Sequence, residues 1–482
     1  MEREAGILLP ISVIPSRFGP GDFGEATIAM ANMVAQTGIK VWQILPLNPL
    51  GPGCSPYASD CGRAIDPIYI CLDEYIQKGI IKDPQIVYAD KSFADLEAIK
   101  KLKLELLRQV FDKTNAKGKK AFKTWANENL WAKGYGVFHK MKQKYGEMDW
   151  WDWKVEDRYL AYHLDKVEVD DDILFVEWCQ YIAFNQYAAL KAKANELGLK
   201  IMGDLPFYVG ANSYDAWANQ DEFLLDENDR PSGVAGVPPD YFSAEGQRWG
   251  NVLYDWAYMK EDGYTFWKDR VLNAYKLFDI LRIDHFRAFD TYWNINPDSP
   301  TAIDGKWEQA GGDEFFSILF AEHPDLKLIA EDLGEMFPSV YALRDKYNLP
   351  GMNVFQFTVF DNTFDKRKNQ VIYPGTHDNN TIVGWLDEMS PEQITDLEHI
   401  LEAGGIKKGK AKLNRRVIEY CFKSECDLCI VSLQDILGLG AEYRLNTPGV
   451  FGGHNWSYYL NRLIKFADAM PYLKKLVKDS GR

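Results

Sequence analysis

The sequence predicts an α/β fold in which eight parallel strands and their connecting helices close into one (β/α)₈ barrel. The main observation is a set of eight short apolar runs, rich in β-branched residues, of the kind formed by strands buried on both faces. A second observation is that helical patterns lie between the later runs. In chain order the runs are residues 6–13, 40–47, 200–205, 280–286, 326–332, 352–357, 371–374 and 427–433.

The spacing of these runs predicts two insertions into a single barrel that spans residues 1–482. Residues 48–198 separate the second and third runs, and residues 207–279 separate the third and fourth. Both spans are too long for plain crossover connections. The first has the charged stretches of solvated helix faces and is predicted to be mostly helical. The second contains residues 233–255, whose glycines and prolines predict a long loop.

The clearest helix signal covers residues 392–403. Ser390 stands at the N-cap position, Pro391 at the first helical position, and Gln393 completes a capping box. Gly404 follows the last residue of the pattern. The sequence therefore predicts both ends of this helix.

Composition and charge exclude several classes of function. The chain has 55 Lys+Arg against 70 Asp+Glu, a net charge of −15 that repels nucleic acid. No apolar run approaches the roughly 18–20 residues of a membrane span, and the acidic start does not resemble a secretory signal. Seven cysteines suit a reducing compartment. Cys429 falls in an apolar run that Cys426 directly precedes, and no second pair of cysteines follows at a metal-ligand spacing. We therefore expect a cytoplasmic protein without nucleic-acid or membrane partners.

Aromatic residues are abundant, with 15 Trp, 26 Tyr and 26 Phe making up 14% of the chain. Many must belong to the core, because large rings dominate packing. The others are candidates for surfaces on which sugar rings stack, since the negative charge disfavours nucleic-acid bases.

Acidic residues follow four of the predicted strands. Asp204 ends the third run, Asp284 the fourth and Glu331 the fifth, and Asp378 follows the seventh. In a (β/α)₈ barrel the C-terminal ends of all strands face one rim. One acid at such an end is commonly a helix cap. Four at the same rim predict a functional site.

Two of these acids stand in different local sequences. Arg282 and Asp284 are two residues apart and point the same way, so we expect the guanidinium to lower the pKa of Asp284 and keep it ionised. Glu331 follows apolar residues with no cation nearby in the sequence, which allows a raised pKa and a proton-donor role. Two carboxylates with separated pKa values suit cleavage of a glycosidic bond. On spacing alone, an Asp284–Arg282 ion pair and a Glu331 helix cap explain these residues equally well.

Several short segments match the motifs of one family. They are residues 51–57 (with Ser55-Pro56-Tyr57), 203–206, 238–242, 246–251, 282–287, 330–334, 375–380 and 434–438. Through them the sequence resembles, nearly end to end, the 4-α-glucanotransferases of glycoside hydrolase family 77, also called amylomaltases or disproportionating enzymes, in the α-amylase clan. The resemblance implies a (β/α)₈ barrel with inserted subdomains and no separate C-terminal β-domain. It also implies that residues 207–279 form a substrate-groove loop region, in which the loop 246–251 overhangs the groove.

The resemblance carries roles to individual positions. It implies that Asp284 is the nucleophile, Glu331 the general acid/base and Asp378 the acid that orders the donor sugar. The substrate-binding residues that it implies are Tyr57, Asp204, Trp249, Arg282, His285 and His377. The implied reaction is retaining transfer of α-1,4-glucan segments from a malto-oligosaccharide or starch chain to the 4-hydroxyl of an acceptor. Its expected partners are α-1,4-glucans and malto-oligosaccharides, with no cofactor and no metal.

Two residues depart from the family pattern. Val252 stands where a proline is usual, and Asn380 stands where an aspartate is usual. The second change removes a negative charge close to Asp378 and raises the question of how that acid is positioned.

Three other functions compete with transfer. One is an α-amylase-type hydrolase of the same clan. Another is a Mg²⁺-dependent enzyme of the enolase type, in which acids at strand ends bind metal. Arg282 argues against it because a fixed cation competes with a metal ion. The third is a glucan-binding protein without activity, which the presence of all three acids argues against.

Overall fold

The structure, a computed structural model, describes residues 3–84, 92–146, 148–239, 243–361, 367–409 and 411–482. Eight parallel strands form one sheet. They are β1 (Glu4–Leu8), β2 (Val41–Gln43), β3 (Lys200–Leu205), β4 (Ile280–Ile283), β5 (Leu328–Ala330), β6 (Gly351–Val354), β7 (Gln370–Tyr373) and β8 (Leu428–Ser432). Each strand overlaps one of the predicted runs, although β1 begins before its run and ends five residues before the run does.

The sheet closes into the predicted barrel. Its strand order is β5-β4-β3-β2-β1-β8-β7-β6, with parallel pairing throughout. The two edge strands meet where the backbone N–H of Ala330 donates to the carbonyl of Pro350 at 2.9 Å. The prediction of a (β/α)₈ barrel is confirmed.

Alternate residues of the strands enter two separate apolar clusters. Each strand sends at least one side chain into the barrel interior, including Leu8, Val41, Met202, Ile280, Ile329, Met352, Val371 and Leu428. Their neighbours Ile7, Trp42 and Ile201 belong to a larger cluster outside the sheet, where the helices pack. Burial on both faces explains why the strands read as continuous apolar runs.

Helices fill most of the connections. Those of eight or more residues are Glu25–Gln36, Leu96–Lys113, Lys120–Glu128, Leu130–Tyr145, Asp171–Glu196, Thr265–Leu277, Gly312–Glu322, Pro338–Lys346, Pro391–Ala403, Leu413–Lys423 and Ile464–Ser480. The shorter ones are Asp73–Gln77, Val155–Arg158, Tyr214–Ala218, Trp256–Glu261, Phe355–Thr358, Ile382–Asp387 and Leu433–Leu437. No helix within the described ranges is long and apolar enough to cross a membrane.

The helix Pro391–Ala403 begins as the sequence predicts. The Ser390 side chain accepts from the backbone N–H of Gln393, and the Gln393 side chain accepts from the backbone N–H of Ser390. Gly404 follows its last residue. The capping box is confirmed.

Residues 233–255 are not the long loop that we predicted. Val234–Val237 and Gln247–Val252 are antiparallel strands. They join Thr291–Ile295 and Gly305–Gln309, from the connection after β4, in a four-stranded sheet. The glycines of this segment do not all belong to a loop: Gly236 lies within a strand, where a Cβ would come within 2.2 Å of the Gln247 carbonyl oxygen. Of the matched segment 238–242, residues 240–242 lie outside the described part of the chain.

Gly203 provides a test of the packing that positions the end of β3. A Cβ at this residue would come within 2.2 Å of Cγ in the Phe278 ring. We expect Gly203→Ala to lower the free energy of unfolding by about 1–3 kcal/mol, as measured by urea denaturation, because the ring or the strand must move. Gly409→Ala is the matched control, since Gly409 is exposed and its nearest neighbour atom is 4.0 Å away. Equal effects of the two substitutions would contradict this account.

Candidate active site

The structure brings the four predicted acids together at one rim of the barrel. Asp204 is the second-to-last residue of β3, Asp284 directly follows β4, and Glu331 directly follows β5. Asp378 stands five residues beyond the end of β7. The charges of Asp204, Glu331 and Asp378 all act on the Asp284 carboxyl, so the four groups share one electrostatic environment.

Arg282 connects two of the acids. Its Nη1 lies 2.5 Å from Asp204 Oδ2, and its Nη2 lies 2.9 Å from Asp284 Oδ1. The Tyr57 hydroxyl donates to the same Asp204 oxygen at 2.6 Å. The side chains of Arg282 and Asp204 are 5% and 0% exposed, whereas that of Asp284 is 29% exposed. Arg282 and Asp204 therefore lie behind Asp284, which faces the mouth of the barrel.

Glu331 is fixed by the backbone that follows β4. The N–H of His285 donates to Glu331 Oε2 at 2.7 Å. His285 has a φ of 49°, a left-handed conformation that non-glycine residues rarely adopt and that is concentrated at functional sites. The N–H of Phe286 donates to the Glu331 carbonyl at 3.1 Å. These bonds tie the ends of β4 and β5 together and place Glu331 beside Asp284.

Burial raises the pKa of Glu331 to about 7, against the opposing effects of the Arg282 charge and of the hydrogen bond from His285. This agrees with the raised pKa that the sequence allowed. Burial also raises the pKa of Asp284 well above its usual range, with Asp204 adding to the rise. The expectation that Arg282 would set a low pKa for Asp284 is wrong, because burial and the surrounding carboxylates outweigh one guanidinium that is shared with Asp204.

Asp378 is open to the mouth, with 44% of its side chain exposed. The Asn446 amide donates to its Oδ1 at 2.6 Å, and Arg444 donates to its backbone carbonyl. His377 Nε2 lies 3.4 Å from Asp378 Oδ2, and burial lowers the pKa of His377. Asn446 and Arg444 were not predicted, since they follow β8 in a segment that carries no recognisable motif.

Aromatic rings form one wall of the mouth beside Asp378. The Tyr57 ring stacks on His377, with centroids 5.3 Å apart and planes 8° apart. Trp456 packs against both rings at 5.8 and 5.9 Å. Trp456 was not predicted, because none of the matched family segments includes it.

A second aromatic wall stands beside Asp284. Trp249 packs edge-on against His285, with centroids 4.9 Å apart, and Tyr208 packs against both. Trp249 is 39% exposed, so part of its ring is open to solvent. Burial lowers the pKa of His285 to about 3, which keeps this imidazole neutral. The mouth thus lies between two aromatic walls.

Both departures from the family pattern have local partners. Val252 is fully buried and pairs with Val234 at the end of its strand. The Asn380 amide donates to Glu388 Oε1 at 2.7 Å, and its backbone carbonyl accepts from Gln356 Nε2 at 2.8 Å. An aspartate at position 380 could not donate to Glu388, so the asparagine suits its neighbour.

The arrangement argues against a metal-dependent enzyme. Arg282 holds a fixed positive charge 2.9 Å from Asp284 Oδ1, where a divalent cation would meet repulsion. Across the described residues, no group of three or more His, Cys, Asp or Glu side chains has the geometry of a metal site. Carboxylates on neighbouring strands between aromatic walls instead define an enzyme that acts on glycosidic bonds.

Comparison with known proteins identifies the family. The 4-alpha-glucanotransferase family model matches residues 9–464, and the chain belongs to this family. It is similar to the 4-alpha-glucanotransferase of Thermus thermophilus, at 35% identity over 478 residues that cover 95% of each chain. It is also similar to that of Synechocystis, at 36% identity over 485 residues that cover 96% of this chain and 95% of the relative.

A solved structure agrees with this assignment. The amylomaltase from Streptococcus agalactiae in complex with acarbose superposes with a TM-score of 0.92 at 29% identity, over 100% of both chains. The fold and the family therefore agree over the whole chain.

Asn380 provides a test of how the loop after β7 is supported. We expect Asn380→Asp to lower the free energy of unfolding at pH 7 by about 1–3 kcal/mol, because it replaces a buried donor to Glu388 with a like charge. Chemical denaturation measures the change. Adding Glu388→Gln should recover most of the loss, since the side-chain amide introduced at position 388 can donate to the new carboxylate. A double variant no more stable than Asn380→Asp would rule out this pairing.

Proposed function

We propose that this protein is a retaining 4-α-glucanotransferase. It transfers α-1,4-glucan segments from a malto-oligosaccharide or starch chain to the 4-hydroxyl of an acceptor glucan or glucose. The observation that carries the proposal is the Asp284–Glu331 pair, which stands at the ends of neighbouring strands in a chain of this family. Retaining enzymes need two carboxyl groups about 5–5.5 Å apart, and adjacent strand ends permit that separation.

In the first half-reaction, Asp284 attacks the anomeric carbon while Glu331 donates a proton to the departing glycosidic oxygen. A pKa of about 7 leaves Glu331 protonated in a large fraction of molecules near neutral pH. The departing chain leaves with the proton, and the donor sugar remains bonded to Asp284.

In the second half-reaction, the 4-hydroxyl of an acceptor, rather than water, releases the donor sugar from Asp284. Esterification of Asp284 removes its negative charge, so the pKa of Glu331 falls and Glu331 can accept the hydroxyl proton. The acceptor oxygen then attacks the anomeric carbon and releases Asp284. The same carboxyl therefore serves as acid and then as base.

The surrounding residues position the reacting groups. Arg282 holds Asp284 and is itself held by Asp204, which also accepts from Tyr57. Asp378, oriented by Asn446, is exposed to the mouth and can bind hydroxyls of the donor sugar. We assign substrate contacts to Tyr57, Trp249, His285 and His377 as well, because their rings line the two walls.

The aromatic walls explain a preference for transfer over hydrolysis. Sugar rings stacked on Tyr57 and Trp249 raise the effective concentration of the acceptor hydroxyl and displace water. Residues 48–198 would then be a helical inserted subdomain that supplies Tyr57. Residues 207–279 would be an insertion that carries Trp249 over the groove.

We also propose a cytoplasmic enzyme whose partners are neutral glucans. The net charge of −15 disfavours nucleic acid. Neutral malto-oligosaccharides meet no such repulsion, and the mechanism requires no cofactor and no metal.

The products formed from maltotriose test the proposed function directly. We expect glucose together with maltodextrins longer than maltotriose, while the concentration of reducing ends stays nearly constant. Chromatography by chain length and a reducing-end assay measure both quantities. A steady rise in reducing ends without longer products would instead identify a hydrolase.

The nucleophile is tested by Asp284→Asn. We expect the rate of transfer to fall on the order of 10³-fold or more, because no neighbouring group can form the covalent intermediate. Mass spectrometry should detect no sugar bonded to this variant. Asp298→Asn, a change at an exposed turn, is the control and should keep the parent rate. Substantial activity in Asp284→Asn would remove Asp284 from the mechanism.

The acid role of Glu331 is tested with two donors. An activated glucosyl fluoride needs little protonation to leave, so Glu331→Gln should cleave it comparatively fast while its turnover of maltotriose collapses. In the parent enzyme, kcat/KM for maltotriose should fall as pH rises through about 7, because Glu331 loses the proton that it donates. This fall in kcat/KM above about pH 7 should be absent from Glu331→Gln. Equal losses on both donors would make Asp378 the better candidate for the acid.

A further inference from the structure

The seam between β5 and β6, where the barrel closes, is bridged by a side chain next to Glu331. These are the two edge strands of the sheet, and the N–H of Ala330 donates to the Pro350 carbonyl across the gap between them. In a regular parallel pair, the N–H two residues further along β6 would donate to a carbonyl of β5. Here that N–H, of Met352, donates to Asp332 Oδ1 at 2.7 Å. The Asp332 carboxylate therefore takes the place of a strand carbonyl at the seam.

Two neighbours allow the Asp332 carboxylate to lie against β6. Gly351, the first residue of β6, has no side chain, and a Cβ there would come within 2.3 Å of Asp332 Oδ2. Arg344, in the helix Pro338–Lys346, forms an ion pair with the same oxygen. The side chains of Arg344 and Asp332 are 5% and 3% exposed. A carboxylate buried this deeply is costly without a partner, so Arg344 stabilises the charged form of Asp332.

The backbone of Glu331 is held from both sides. Towards β4, its N–H donates to the Ile283 carbonyl at 3.0 Å, and its carbonyl accepts from the N–H of Phe286 at 3.1 Å. Towards β6, the next residue, Asp332, accepts from the N–H of Met352. The peptide between Glu331 and Asp332 is thus tied to both neighbouring strands. Because the Glu331 side chain extends from this backbone, a shift of the peptide would move its carboxyl group.

We propose that Asp332, held by Arg344, is a positioning residue for the general acid. It fixes the backbone of Glu331 against β6 and so keeps the Glu331 carboxyl within reach of the glycosidic oxygen. This role rests on the acid function proposed for Glu331, and Asp332 acts through Glu331 rather than on the substrate. A misplacement of about 1 Å can lower a rate on the order of 100-fold, so a loosened seam has a measurable effect.

Asp332→Asn tests the contact with β6 while keeping the shape of the side chain. The carboxylate offers one oxygen to Met352 and the other to Arg344, whereas an amide has one oxygen and one donor nitrogen. The charged guanidinium of Arg344 binds the remaining oxygen more strongly, which leaves the amide nitrogen facing the Met352 N–H. We therefore expect faster hydrogen exchange of the Met352 amide than in the parent, measured by mass spectrometry of the peptide that contains it.

Two donors show whether this contact positions the acid. An activated glucosyl fluoride needs little protonation to leave, whereas maltotriose needs the proton of Glu331. In Asp332→Asn, the ratio of kcat/KM for maltotriose to kcat/KM for the fluoride should fall about tenfold or more. Loss of folded protein lowers both values equally and leaves the ratio unchanged. Asp345→Asn is the matched control: Asp345 pairs with Nε of the same Arg344 at 2.8 Å but is 52% exposed, and its ratio should equal that of the parent.

A second variant decides the question if Asp332→Asn does not fold. Arg344→Lys keeps the positive charge but loses the planar fork that contacts both Asp332 and Asp345, and its ratio should fall about threefold. An unchanged ratio in the folded variants would overturn the proposal even where Met352 exchanges faster, because Asp332 would then be merely structural. Failure of the proposed function has a different signature. The parent would form no maltodextrins longer than maltotriose, or Glu331→Gln would lose activity equally on both donors.

Discussion

The buried guanidinium of Arg282 is the group on which the rest of the site depends. A desolvated positive charge is costly unless it is paired, and Arg282 is paired on both sides, with Asp204 and with Asp284. These pairs join β3 to β4, and Tyr57 extends the network into the segment after β2. Removing either carboxylate would leave Arg282 partly unpaired. Asp284 is therefore held in position because it is one of the two carboxylates that neutralise the buried Arg282 charge.

The same network couples the titration of two acids. Burial raises the pKa of both Asp284 and Glu331, and the Glu331 charge adds to the rise at Asp284, so the two carboxyl groups titrate as a pair. Arg282 opposes the rise at both acids. It contacts Asp284 directly, whereas Glu331 accepts from the neutral N–H of His285. The proposed mechanism needs the proton on Glu331 and the charge on Asp284, and the direct contact with Arg282 favours that arrangement over the reverse.

The features that could be predicted from the sequence are those that depend on the order of residues within a short segment. All eight barrel strands were found because burial on both faces makes each strand a continuous apolar run, and two-residue spacing placed Arg282 and Asp284 side by side. The Arg282–Asp204 contact was not apparent, since its partners are 78 residues apart. The raised pKa of Asp284 was missed for the same reason, because it arises from burial and from acids on other strands. The roles proposed for Tyr57 and Trp249 come from family resemblance rather than from pattern.

The sheet that the sequence did not predict explains how Trp249 reaches the mouth. Its strand, Gln247–Val252, pairs with Val234–Val237, which pairs in turn with Thr291–Ile295. That last strand belongs to the connection that begins with Asp284 and His285. Backbone hydrogen bonds therefore link the strand of Trp249 to the segment that carries Asp284, and Trp249 also contacts His285 directly. In the proposed mechanism, a ring held in this way is already in place before a sugar binds, so less ordering entropy would be lost when an acceptor stacks on it.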